Sequence, residues 1–174
     1  MRTLQLTCRL TAAILLFSPL LALNVGAWTA DPTGENAPTT CKLEPESQCT
    51  QAVFIGLEAP GLDMNHASLP QVRFDKANLR GANLSHAIMQ LANLQDSNLM
   101  LSNLEGAHLH AANLRNSNLM LANLQRVNLV DADLRGANLR GANLGRAILI
   151  QANLEDAIWV DGRICGPGSI GECL

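Results

Sequence analysis

The sequence predicts an all-β solenoid, a four-sided coil of about five and a half turns, and three observations carry that prediction. A small residue, an Asn and a Leu recur every five positions, from Ala77-Asn78-Leu79 to Ala152-Asn153-Leu154. Similarity also returns at multiples of 20 residues, so that Asn98-Leu99-Met100-Leu101 reappears as Asn118-Leu119-Met120-Leu121. Finally, 48% of the 174 residues are apolar, yet there are only two Trp, three Phe and no Tyr. A core made from such a chain needs many equivalent aliphatic layers rather than a few large anchors.

A period of five suits neither regular element. On an α-helix, five steps of about 100° rotate each leucine roughly 140° from the last and scatter the set around the cylinder. On a flat strand, successive leucines fall on opposite faces, and half of them meet water. A chain that turns a corner every five residues and stacks each turn on the one before brings all of them to one axis. Twenty residues are four such units, which makes one complete coil and places residue i beneath residue i+20.

The register runs from Ala52 to Asp161, 22 units of five. Its centres begin at Phe54, Ala59, Met64, Leu69, Phe74, Leu79, Leu84 and Met89. Every fifth residue from Leu94 to Leu154 is then Leu, thirteen in all, and Trp159 closes the series. Two residues before most centres stands Ala or Ser, small enough to let the next coil approach; Val72, Val127, Leu57 and Leu62 are exceptions. Asn precedes most centres, and its short amide is suited to bonding backbone at a corner. These units resemble the pentapeptide-repeat family, whose unit is A(D/N)LXX. The resemblance implies a right-handed quadrilateral β-helix with the central Leu and the small residue inside.

The flanks have their own character. Residues 1–27 read as a signal peptide: Arg2 and Arg9 precede an apolar run from Leu10 to Leu23, and Val25-Gly26-Ala27 offers small residues for cleavage. Cys8 leaves with that segment. Periplasmic or secreted localisation is therefore expected, with no membrane span in the mature chain. Residues 28–51 form a Pro-, Thr- and Gly-containing linker that ends in a first cysteine pair, and residues 162–174 form a C-terminal cap with a second. At a strand spacing of about 4.8 Å the coil is roughly 26 Å long, which separates Cys49 from Cys165 by far more than a disulfide's Cα reach of about 7 Å. The pairing that follows is Cys41–Cys49 and Cys165–Cys173, each covering an end. The segment from Trp159 to Cys173 also resembles the C-terminal cap of exported bacterial family members, with Trp159 plugging the end.

The outside offers little chemistry. With every mature cysteine paired, no Tyr, and no Ser/His/acid set brought together by the stacking, no catalytic residue, cofactor or metal site is expected. His66 and His86 differ by 20 and should stack, while His108 and His110 flank Leu109; neither pair has a third ligand. Some family members mimic DNA and bind gyrase, a role that requires a strongly acidic face. Between Ala52 and Asp161 there are ten acidic and eight basic residues, and the columns Arg115/Arg135 and Arg126/Arg146 interrupt any acidic track. Nucleic-acid binding is not expected either, because the arginines are too sparse.

The informative surface is apolar. Met100, Leu101, Met120 and Leu121 follow their centres, should face outward, and stack as one patch with Arg80-Gly81 before it and Arg140-Gly141 after. A further side carries Ile88, Val130, Ile148 and Ile150. The expected function is that of a non-enzymatic exported scaffold binding a protein partner, or a second copy of itself, through the Met/Leu patch. A purely structural or stress-related envelope role is the alternative, and gyrase binding the remote one.

Overall fold

The computed structural model describes residues 41–174. The signal peptide expected at 1–27 and the linker residues 28–40 lie outside the described residues. From Gln48 to Ile158, each residue preceding a centre forms a parallel β-bridge to the residue 20 positions on, as in Asn78↔Asn98↔Asn118↔Asn138. Each side contributes one bridging residue per coil. Side 1 runs through Val53, Arg73, Asn93, Asn113, Asp133 and Asn153; side 2 through Glu58, Asn78, Asn98, Asn118, Asn138 and Ile158. Side 3 runs from Asp63 to Asn143, and side 4 from Gln48 through Ser68, Ile88, His108 and Asn128 to Ile148.

The backbone repeats one hydrogen-bond scheme. A centre donates to the bridging residue of the next coil, and that residue donates back to the small residue before the centre: Leu69 N–H to Ile88 O at 2.7 Å, Ile88 N–H to Ala67 O at 2.9 Å. At each corner the centre's carbonyl accepts from the residue three positions on, as in Ala82 N–H to Leu79 O at 3.0 Å. The residue two after the centre has a positive φ, 68° at Gly81 and 62° at Leu101, which is the signature of a type II turn. Centres and small residues are buried: Leu94 to Leu139 lie at 0% exposure and Ala112 at 1%. Ser97, Ser102 and Ser117 fill small positions, and each hydroxyl donates to the carbonyl three residues back at 2.7–2.8 Å. Burying a hydroxyl this way leaves no unpaired polar atom at those sites.

Asn bonds corner backbone as expected, and it does so from outside the corner. It sits in the bridge on the flat side, and its Oδ1 accepts from the N–H two residues on, at the corner: Asn98 from Met100 at 3.2 Å, Asn118 from Met120 at 3.2 Å. Its Nδ2 donates to the Asn one coil before, building ladders such as Asn118 to Asn98 to Asn78. The left-handed corner position belongs instead to Gly and a mixture of polar and apolar residues.

The ends carry the disulfides Cys41–Cys49 and Cys165–Cys173, with Cα separations of 5.2 and 4.9 Å. The coil begins one unit before Ala52: Gln48 is already bridged to Ser68, and Cys49 occupies a buried centre. On side 1 the centres Phe54 and Phe74 stack with ring centroids 5.3 Å apart. At the other end the chain reverses after Gly162, and Ile164 and Ile170 form antiparallel bridges to Ile158 and Asn153. Trp159, expected to plug this end, is only partly buried, although the tail lies over its own side 2; the tail covers sides 1 and 2 and leaves the last coil of sides 3 and 4 uncovered.

Candidate interaction surface

The Met/Leu residues lie on the corner between sides 2 and 3, and the local scheme fixes them there. The ladder amides of Asn98 and Asn118 hold the N–H groups of Met100 and Met120. Leu101 N–H donates to Met120 O at 3.1 Å, and Leu121 N–H to Arg140 O at 3.1 Å. The four side chains therefore stand on a backbone bonded at every coil. Leu101 is 49% exposed and Leu121 54%, whereas Met100 and Met120 are half-buried at the patch margin. The side chain of Leu121 lies over Gly141, where an added Cβ would meet Leu121 Cδ2 at 2.7 Å. The absence of a side chain at Gly141 is what lets the patch spread onto the following coil.

A second apolar zone lies on side 4 and its next corner, diagonally opposite. Ile88 and Ile148 occupy bridging positions that carry Asn on most of the other sides, at 41% and 44% exposure. Ile150 and Leu91 stand at the corner. Sequence reasoning missed Leu91, since the residues 20 positions before and after it are Gln71 and Ala111, neither a large apolar side chain; its register position, two after Met89, was the available signal.

Charge is locally compensated. Arg73 pairs with Asp75 at 3.0 Å, Arg126 with Glu105 at 3.2 Å, and Arg135 with Asp133 at 2.6 Å. The hydrogen bond from Arg135 holds the Asp133 carboxyl below its ordinary value, against a smaller opposing effect of burial. His66 and His86 stack with ring centroids 4.9 Å apart, and His110 Nδ1 lies 3.2 Å from Val130 O. Among the described residues, no three His, Cys, Asp or Glu side chains gather as a metal site. The Asn ladders spend their amides on each other and on corner N–H groups, which leaves them poorly placed to read a ligand. Asn83, the acceptor of a formal Asn-Leu-Ser glycosylation sequence, likewise donates to Asp63 at 2.9 Å. Among the described residues, no helix is long and apolar enough to cross a membrane.

The pattern of the family described as pentapeptide repeats matches the chain in eight copies, over residues 47–85, 61–96, 77–116, 102–141 and 137–158. Proteins of that family fold as right-handed quadrilateral β-helices, and this chain shares the fold. The pentapeptide repeat protein Rfr23 from the cyanobacterium Cyanothece 51142 is 30% identical, with a TM-score of 0.62 over 64% of this chain and 90% of that one. A pentapeptide repeat protein of the Arabidopsis thaliana thylakoid lumen is 30% identical over 60% of this chain and 69% of its own, with a TM-score of 0.33. HetL, involved in heterocyst differentiation regulation in Nostoc sp. strain PCC 7120, is 29% identical over 68% of this chain and 66% of its own, with a TM-score of 0.31. No curated protein shows significant similarity to the chain.

Proposed function

The chain belongs to the pentapeptide-repeat family, and from that premise we propose that it is a non-enzymatic, exported scaffold that binds a protein partner through the corner built by Met100, Leu101, Met120 and Leu121. The observation that carries this reading is the pair Leu101 and Leu121. Both are about half exposed and both sit at positive φ, 62° and 59°. A left-handed conformation costs an L-residue roughly 1–2 kcal/mol, and the same corner elsewhere holds Gly, as at Gly61, Gly81 and Gly141. Two stacked leucines kept at that cost, on a corner where they gain little burial, support a role outside the chain. The two end disulfides support an oxidising compartment.

The test is the double variant Leu101→Gly/Leu121→Gly, in which glycine relieves the backbone and deletes the apolar surface. Partner capture from the exported fraction should be lost while the melting temperature holds or rises. Met100→Asp/Met120→Asp should give the same loss. Capture undiminished in both would reject this corner and leave the purely structural envelope role.

A further inference from the structure

The C-terminal end of the solenoid is a step. Over side 2, Trp159 N–H donates to Arg163 O at 2.8 Å and Cys165 N–H to Ala157 O at 2.9 Å. Over side 1, Leu154 N–H donates to Ser169 O at 2.8 Å and Gly171 N–H to Ala152 O at 2.8 Å. This half of the end is raised by one strand layer. The other half, sides 3 and 4 of the last coil, is recessed. The groups that a further coil would engage there, Leu144 N–H with Ala142 O and Leu149 N–H with Ala147 O, have no hydrogen-bond partner among the described residues. Leu144, Ala147 and Leu149 are correspondingly only partly buried, while their counterparts a coil earlier, Leu124, Val127 and Leu129, are at 0% exposure.

The raised half presents complementary groups. Its antiparallel bonds use the backbone of the residues flanking Ile164 and Ile170, so the N–H and C=O of these two isoleucines point away from their own coil and have no partner among the described residues. Their side chains are 69% and 43% exposed.

We propose that the occupant of the recess is the raised half of a second copy of this chain, related by a twofold axis along the line that divides the step. That rotation exchanges side 1 with side 4 and side 2 with side 3, so each cap drops into the other's recess. It also reverses the direction in which the cap runs: a segment antiparallel to its own coil becomes parallel to the coil of the second copy. Ile164 then lies over Asn143 of the second copy, and Ile170 over Ile148. Leu144 N–H meets an Ile164 carbonyl, and Ile164 N–H meets Ala142 O; Leu149 and Ala147 take Ile170 in the same way. This is the scheme by which Ile88 engages Leu69 and Ala67 within the coil. The two caps together complete one four-sided layer, which covers the open strand edge and the apolar centres of both copies. The Met/Leu corners remain free on each copy, so the dimer displays two of them and gains avidity for a divalent or surface-bound partner.

The experiment is the light-scattering mass of the full chain, disulfides oxidised, across a concentration series. The expected mass is twice that of one chain. Ile148→Asp/Ile170→Asp, which sets like charges against each other across the contact, should give the single-chain mass with an unchanged circular dichroism spectrum. Ile148→Lys/Ile170→Asp, which sets opposite charges there, should restore the doubled mass, and amide exchange at Leu144 and Leu149 should slow as concentration rises. A single-chain mass at every concentration, or equal masses for the two charged variants, would overturn the proposal. Loss of the dimer in Met100→Asp/Met120→Asp instead would also overturn it, by moving self-association to the other surface.

Discussion

Ala112→Leu tests the division of each unit into inside and outside. Ala112 is 1% exposed and lies between Ala92 and Ala132, also at 1%, in the column of small residues beside side 1. The bonds from Asn113 N–H to Ala92 O at 2.9 Å and from Asp133 N–H to Ala112 O at 3.0 Å set the distance between these coils. An isopropyl group added there has no void to enter, so it must wedge the coils apart or leave its rotamer, at about 1–3 kcal/mol. Arg115→Leu, three residues on, changes an exposed side chain that makes no ion pair among the described residues and should stay within about 0.5 kcal/mol of the parent. At about 2–4 °C per kcal/mol for a chain of this size, Ala112→Leu should melt about 2–12 °C lower. Differential scanning calorimetry of the two variants decides it. Equal melting temperatures would refute the assignment of the small position to the interior.

Three further outcomes are expected. Asn103→Ala removes an acceptor for Glu105 N–H at 3.2 Å and a ladder contact to Asn123 at 3.0 Å, and should cost about 1–2 kcal/mol by chemical denaturation. Asn143→Ala, on the uncovered edge, where among the described residues the side chain makes only its corner bond to Gly145, should cost less; the reverse order would argue against the ladder. Reducing the two disulfides should lower stability by about 2–3 kcal/mol for each small loop, with exchange by mass spectrometry accelerating at the ends and not at Leu99 to Leu119; uniform acceleration would contradict this. Asp133 is held below its ordinary pKa by Arg135, so its contribution to stability is present above the unfolded-state value of about 3.9 and is lost as pH falls through the lower folded value. In Arg135→Gln the Asp133 titration followed by carboxyl-carbon NMR should move up; an unmoved curve would rule out the Arg135 bond as the cause.

The five-residue and 20-residue periods in the sequence were sufficient for the coil, for its four sides, and for the interior places of Leu and Ala, because a repeat that must bury every fifth residue has few geometries available. The same periods stacked Met100 on Met120 and Leu101 on Leu121, and the length of the coil separated the two cysteine pairs. Local bonding was less legible. The Asn amide was expected to bond corner backbone and does, but that its Oδ1 reaches two residues on from the flat side, and its Nδ2 builds ladders between coils, depends on where the backbone turns. Leu91 escaped notice because its exposure follows from a corner position and not from any repeat. Non-periodic segments decided the rest. Whether the tail after Gly162 would cover all four sides or two depended on where it reversed and which N–H groups it met, and the resulting step, with Leu144 and Leu149 open beside Ile164 and Ile170, exists only once those groups have been placed in space.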